Sequence, residues 1–189
     1  MNSEKTDEML IQAYMSGDCE SFTTLYERYK MQLYAYLNRL LPGQRHLADD
    51  MFQQTWVKII HQLPKYRSER KFLAWAMTIA HNLTMDHFRR SKKELASEAI
   101  DDAREDVFDE MSEPWSDMDR GELSKALEWA LGKLSPELRE VFLLRQEDLS
   151  FKEIAELQKC SLNTALGRMQ YAMRNLQKLL GDWRKGVGR

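Results

Sequence analysis

From Phe22 onward, apolar side chains recur in steps of three, one and four: Leu25, Tyr26, Tyr29, Leu33, Tyr36, Leu37 and Leu40. This spacing predicts one face of an α-helix, and Pro42 with Gly43 predicts its end. A second helical pattern begins near His46, runs through Ala48, Met51, Phe52, Trp56, Ile59, Ile60 and Leu63, and stops before Pro64. A polar, basic loop from Lys65 to Lys71 follows. A third pattern then carries Phe72, Trp75, Ile79, Leu83, Met85 and Phe88 into Arg89, Arg90, Lys92 and Lys93. Three amphipathic helices over about ninety residues suffice to enclose one core, so residues 1–94 are expected to form a helical domain.

Beyond residue 122 the pattern is shorter and more punctuated. Leu123, Leu127, Ala130, Leu131 and Leu134 form one apolar stripe. Ser135-Pro136-Glu137 reads as an N-cap, a first-position proline and a first-turn acid. The helix it opens is expected to bury Leu138, Val141, Phe142 and either Leu144 or the stem of Arg145, ending near Asp148. Ser150-Phe151-Lys152-Glu153 spells a capping box for a helix of barely two turns, Phe151 to Gln158. Lys159-Cys160 makes the turn, and Ser161 caps the last helix. On that helix Leu162, Ala165, Met169, Ala172 or Met173, Leu176 and Leu180 are expected to face the core. Asn163, Thr164, Gly167, Arg168, Gln170, Tyr171, Arg174 and Lys178 face out. A short capped helix, a tight turn and a longer helix with a polar outer start describe a helix-turn-helix, whose second helix enters a major groove. Helical hairpins that never touch DNA share the outline.

Charge separates the two ends. The chain of 189 residues has a formal net charge of −2, but residues 94–122 hold twelve acidic and two basic side chains, a net of −10, leaving the remainder at +8. An acidic, solvated and flexible linker over 95–122, joining a basic domain 1–94 to a basic domain 123–189, is the expected organisation, with polyanionic partners for the ends. With 8 Gly and 4 Pro and a charged fraction of 31%, the fold class is all-α. No apolar run approaches the ~18 residues of a membrane span. Cys19 and Cys160 form neither a disulfide framework nor a Cys-x-x-Cys site, and a reducing cytoplasm is the expected compartment.

The third helix carries the most specific chemistry of the first domain. Asn82, Asp86 and Arg89 lie at i, i+4 and i+7 on one face, behind the loop bases Lys65, Arg67, Arg70 and Lys71. Cations neutralise phosphate, aromatic faces accept unstacked bases, and an Asn amide reads a base edge. Each residue has a plainer reading. Trp75 and Phe88 suit a core, Asn82 suits a hydrogen bond inside the domain, and terminal bases suit a helix dipole.

Together the two ends resemble bacterial RNA polymerase sigma factors of the extracytoplasmic-function group. The run Ala48-Asp49-Asp50-Met51-Phe52-Gln53-Gln54-Thr55-Trp56 is similar to that family's docking motif for core polymerase. Trp75 to Asn82, with Asp86 and Arg89-Arg90, resembles its promoter −10 segment, and Tyr66 and Phe72 frame the recognition loop. Leu134-Ser135-Pro136, Val141 to Leu144 and Ser150 to Glu156 resemble its −35-binding domain. The resemblance spans about 150 residues in the family's order, with the acidic linker where that family varies.

The resemblance implies three contact sets. Asp49, Asp50, Phe52, Gln53 and Trp56 would meet core polymerase. Lys65, Arg67, Arg70, Lys71, Trp75, His81, Asn82, Asp86, Arg89 and Arg90 would hold −10 DNA and capture a base flipped from the stack. Ser161, Asn163, Thr164, Gly167, Arg168, Tyr171 and Arg174 would hold −35 duplex. The linker would occupy the polymerase's RNA channel as a nucleic-acid mimic, and an anti-sigma factor joins core polymerase and promoter DNA as a candidate partner. Some positions depart from the family pattern. Lys159 stands in the turn where Gly is usual, His81 replaces a common Arg, and Leu166, Tyr171 and Met173 occupy places that are usually basic. The three lost bases bear on affinity and sequence choice at −35.

Other classes explain less. Gly-rich phosphate loops, nucleophile elbows and zinc-type clusters are missing from the sequence, and His46, His61, His81 and His87 fall at no standard ligand spacing, so neither an enzyme nor a metal or cofactor site is expected. A helix-turn-helix regulator binding duplex alone accounts for 123–183 but leaves Asn82, the basic loop and the 48–56 surface unused. A purely protein-binding adaptor leaves the basic ends unexplained.

Overall fold

A computed structural model describes residues 5–67, 71–95 and 120–184, with the side chains of 91–95 and 120 left out. Among these residues the elements are eight α-helices and one 3-10 turn: α1 Asp7–Met15, α2 Cys19–Leu40, α3 Arg45–Gln62, the turn Leu63–Lys65, α4 Phe72–Leu95, α5 Arg120–Lys133, α6 Pro136–Gln146, α7 Phe151–Leu157 and α8 Leu162–Arg184. The all-α expectation holds. The chain divides into two compact units, Met1–Lys92 and Lys93–Arg189. Nearly all of the acidic stretch, and Arg70 of the basic loop, lie outside the described residues.

In the first unit the apolar pattern read from the sequence is largely buried on α2 and α3. On α4 only Phe72 and Ile79 of the pattern are buried, while Trp75, Leu83, Met85 and Phe88 are half-buried, and the core face runs instead through Ala76, Met77 and Ala80. Leu25, Leu33, Tyr36, Leu37 and Leu40 of α2 are buried, as are Ala48, Met51, Trp56 and Ile59 of α3 and Phe72, Ala76, Met77 and Ala80 of α4. Each large side chain so buried contributes roughly 1.5–3 kcal/mol against the entropy of folding. Helix α2 starts at Cys19, earlier than the apolar pattern, because the Asp18 carboxylate caps it by accepting from the Glu20 N–H at 3.0 Å. It ends at Leu40, and Gly43 supplies the positive φ (74°) of the following turn. Ile60, expected inside, is exposed.

Helix α1 was not legible in the apolar pattern. It packs on α2 with only Leu10 and Ile11 buried, and its dock is polar. Asp7 accepts from Arg28 Nη1 at 2.6 Å and from the Tyr29 hydroxyl at 2.6 Å.

In the second unit α8 packs on α5, α6 and α7. The three serine caps predicted from sequence are all present. Ser135 accepts from the Leu138 N–H at 3.4 Å, Ser150 and Glu153 complete a reciprocal capping box, and Ser161 accepts from the Thr164 N–H at 3.0 Å. Helix α6 buries Val141, Leu143 and Leu144, with Leu138 and Phe142 half-buried. On α8, Ala165, Ala172, Leu176 and Leu180 face the core, so Ala172 rather than Met173 is the inward residue. Leu162 points outward and is 49% exposed, contrary to the apolar-in expectation. Arg139 is buried beneath the α5–α6 corner. Its Nε donates to Leu131 O at 2.7 Å, and its Nη2 donates to Leu134 O at 2.9 Å and Gly132 O at 3.2 Å. Those carbonyls close α5, where the helix dipole welcomes a cation. Burial lowers the guanidinium pKa from its usual value.

Candidate polymerase and promoter interfaces

The α3 surface is built from one helix edge. Asp50 and Gln53 are exposed one turn apart, and Gln54, Val57 and His61 continue the row. Val57 is 55% exposed, an unusual place for a large apolar side chain. Gln53, Gln54, Val57, Lys58, His61 and Gln62, with Leu83 from α4, line a groove of about 610 Å³. Asp49 is half-buried and accepts from the Tyr34 hydroxyl at 2.7 Å, which orients the start of the helix. Phe52 is half-buried against the Tyr34 ring at 5.3 Å. Trp56 is only 6% exposed and packs edge-on against Tyr26 and Phe22, at 4.8 and 6.0 Å between ring centroids. Of the five residues the sequence nominated, Asp50 and Gln53 are therefore open to a partner. Trp56 lies inside the domain among Phe22, Tyr26 and Phe52.

The second surface surrounds α4. Four aromatic rings fasten the start of the basic loop to this helix. Phe72 is buried and meets Tyr29 at 5.1 Å, Trp75 at 5.6 Å and Tyr66 at 5.8 Å, while Tyr66 meets Trp75 at 4.9 Å. Burial, then the Glu8 and Asp7 carboxylates, push the Tyr66 hydroxyl up to about 12, so it stays neutral. Trp75 and Phe88 are half-buried, between the core and surface readings. Lys65, Arg67, Lys71, Arg89 and Arg90 are exposed, and Asn82 and Asp86 are half-buried one turn apart. Asp86 pairs with Arg89 at 3.3 Å; in so exposed a setting that pair adds at most about 0.5 kcal/mol and fixes orientation more than stability. His81 is 7% exposed and lies inside the domain, which removes it from the contact surface that the sequence suggested. The α-helical period puts it a turn from Met77 and Thr84, both buried.

The third surface is the helix-turn-helix of α7 and α8. Its turn closes through the Cys160 N–H on Ala155 O at 2.9 Å. Lys159 has φ 52°, the left-handed conformation that glycine adopts without strain. Gln158 joins the parts, donating to Glu137 O at 3.1 Å and to the buried Glu140 carboxylate at 3.0 Å. Arg168 donates to Gln158 Oε1 at 2.9 Å and is half-buried. It is thereby engaged in holding the motif together, a role its outward position in the pattern did not reveal. Ser161, Asn163, Thr164, Tyr171 and Arg174 are exposed, and Gly167 is half-exposed.

The chain matches the family model for sigma-70 region 2 over residues 25–94 and that for sigma-70 region 4 over residues 124–176. It is 30% identical over 180 residues to the RNA polymerase sigma factor CarQ of Myxococcus xanthus, covering 95% of this chain and 100% of that one. The chain belongs to the sigma-70 family, in its extracytoplasmic-function group. The ECF RNA polymerase sigma-E factor of Escherichia coli K12 is 26% identical over 176 residues, covering 89% of this chain and 91% of its own. Among solved structures, CnrH in complex with the cytosolic domain of CnrY has a TM-score of 0.60 at 25% identity, over 92% of this chain and 96% of that one. The sigma factor RpoE of Bartonella quintana, in complex with the anti-sigma factor NepR, shares the fold with a TM-score of 0.64 at 22% identity, over 85% and 97%. As a sigma factor the protein directs transcription initiation with core RNA polymerase on promoter DNA. Among its described residues, no helix is long and apolar enough to cross a membrane.

Proposed function

We propose that the three surfaces divide the work of initiation. The α3 edge at Asp50 and Gln53 docks on core polymerase, with Val57 and the adjoining groove extending the contact. The α4 surface receives the −10 element as melted strand. Lys65, Arg67, Lys71, Arg89 and Arg90 neutralise phosphate, and Asn82 reads an extruded base, so that binding offsets the few kcal/mol of unstacking. The α7–α8 motif holds the −35 duplex. Trp56, His81 and Arg168 shape these surfaces from within. The protein acts by binding alone, without covalent chemistry, in the cytoplasm, and an anti-sigma partner would compete for the exposed apolar edge of α3.

The observation that carries this reading is the Asp50–Gln53–Val57 row. A regulator that binds duplex unaided has no use for an exposed acidic, amide and apolar edge on a separate unit. Changing Asp50 and Gln53 together to Ala is expected to weaken core association by about 1–2 kcal/mol, a five- to thirtyfold loss, while helicity by circular dichroism stays the same. Wild-type core affinity in the double variant would contradict the docking assignment.

A further inference from the structure

Gly167 stands in the outward half of α8 with no internal reason to be glycine. Its φ is not positive, since the positive-φ glycines are Gly17 and Gly43. A Cβ added there would meet nothing within 4 Å. Glycine in an exposed helix interior weakens the helix relative to alanine, so the free protein loses stability at this position and gains no packing.

Its neighbours at three and four residues, which share its face, are Asn163, Thr164, Gln170 and Tyr171, all exposed. They surround a spot where the helix backbone itself is approachable. This part of the helix also lacks an available cation. Arg168 is held by Gln158 at 2.9 Å, and Arg174, the next cation along α8, is about 10 Å further along the axis. The frame is therefore two amides, a threonine and an aromatic ring. Asn and Gln amides match adenine N6 and N7, and a threonine methyl or a ring suits the thymine methyl, whereas guanine is read by Arg or Lys.

We propose that Gly167 is the point of closest approach between α8 and the upstream duplex, a specificity-determining floor that admits the major-groove edge of an A·T pair between Asn163, Thr164, Gln170 and Tyr171. This rests on the assignment of α7–α8 to the −35 duplex. The geometry exchanges helix stability for access, so a single methyl group should reverse the exchange.

The test uses full-length protein with core polymerase, and promoter fragments selected by the wild-type holoenzyme from a library randomised at −35. Gly167→Ala is expected to raise the melting temperature of the free protein by about 2–8 °C. The same variant holoenzyme should bind the selected fragment about tenfold more weakly and a −35-scrambled fragment as wild type does. The selected sequences should carry an A·T pair where the variant loses preference. A Gly167→Ala holoenzyme that binds the selected fragment as tightly as wild type would overturn the proposal, as would selection of G·C at that place. A wild-type holoenzyme that does not distinguish selected from scrambled fragments would overturn the −35 assignment itself, and this inference with it.

Discussion

Around α4 the outward chemistry is cationic, with Arg89 and Arg90 on the helix and Lys65, Arg67 and Lys71 before it. Along the first turns of α8 it is amide, hydroxyl and apolar: Asn163, Thr164, Leu166, Gln170 and Tyr171. The scaffolds beneath differ too. The first unit rests on long helices and interlocking rings, Phe22–Trp56–Tyr26 and Tyr29–Phe72–Trp75. The second has α6 and α7, of eleven and seven residues, which are too short to be stable alone. It has an apolar core of its own, around Leu131, Leu144, Ile154 and Leu176, and the 23-residue α8, and adds to them the serine caps, Arg139 and the Gln158–Arg168 link. The comparison separates two ways of meeting nucleic acid. A cationic surface on an apolar scaffold suits a flexible single strand, bound mainly through phosphate. A weakly charged helix, fixed by caps and side-chain hydrogen bonds on an apolar core, suits a regular duplex, bound by fit.

The largest expected effect attacks the polar scaffold. Arg139→Met removes the donors to Leu131, Gly132 and Leu134, although Leu131 O still accepts from the Leu134 N–H at 3.2 Å. The cost should be roughly 2–4 kcal/mol. Amide hydrogen exchange should then lose protection across 120–184 and keep it across 19–62. Equal loss in both units would erase the distinction between them. A smaller effect, of opposite sign, comes from the turn. Lys159→Gly places glycine where φ is 52° and should stabilise the helix-turn-helix by about 1 kcal/mol, read as a higher denaturant midpoint. A lower midpoint would mean that the Lys159 side chain contributes more than its backbone strain costs.

Much of this was legible before the structure, for identifiable reasons. Caps at Ser135, Ser150 and Ser161 depend on a few consecutive residues, so local sequence contains the whole interaction. Helix α1 was missed because two buried residues make no periodic stripe, and Asp7 finds its partners more than twenty residues away. Leu162 and Ile60 were assigned inward because periodicity cannot separate a core face from an apolar contact face. Trp56 and His81 resemble surface candidates in the motif but are covered by neighbouring side chains. Arg168 falls on the outward face and among the −35 contacts in the sequence, but its bond to Gln158 is not legible there because Gln158, ten positions earlier, lies outside α8.

The proposed reading of a melted −10 base by Asn82 is the feature most directly open to test. Asn82→Ala holoenzyme should be measured for open-complex formation across promoters substituted at each −10 position, beside the thermal stability of the free protein. Melting is expected to be unchanged, with a loss of about 1–3 kcal/mol confined to the preferred −10 sequence and discrimination flattened at one position. A lower melting temperature with equal loss on every promoter would place Asn82 in the domain's internal hydrogen bonding and contradict the claim.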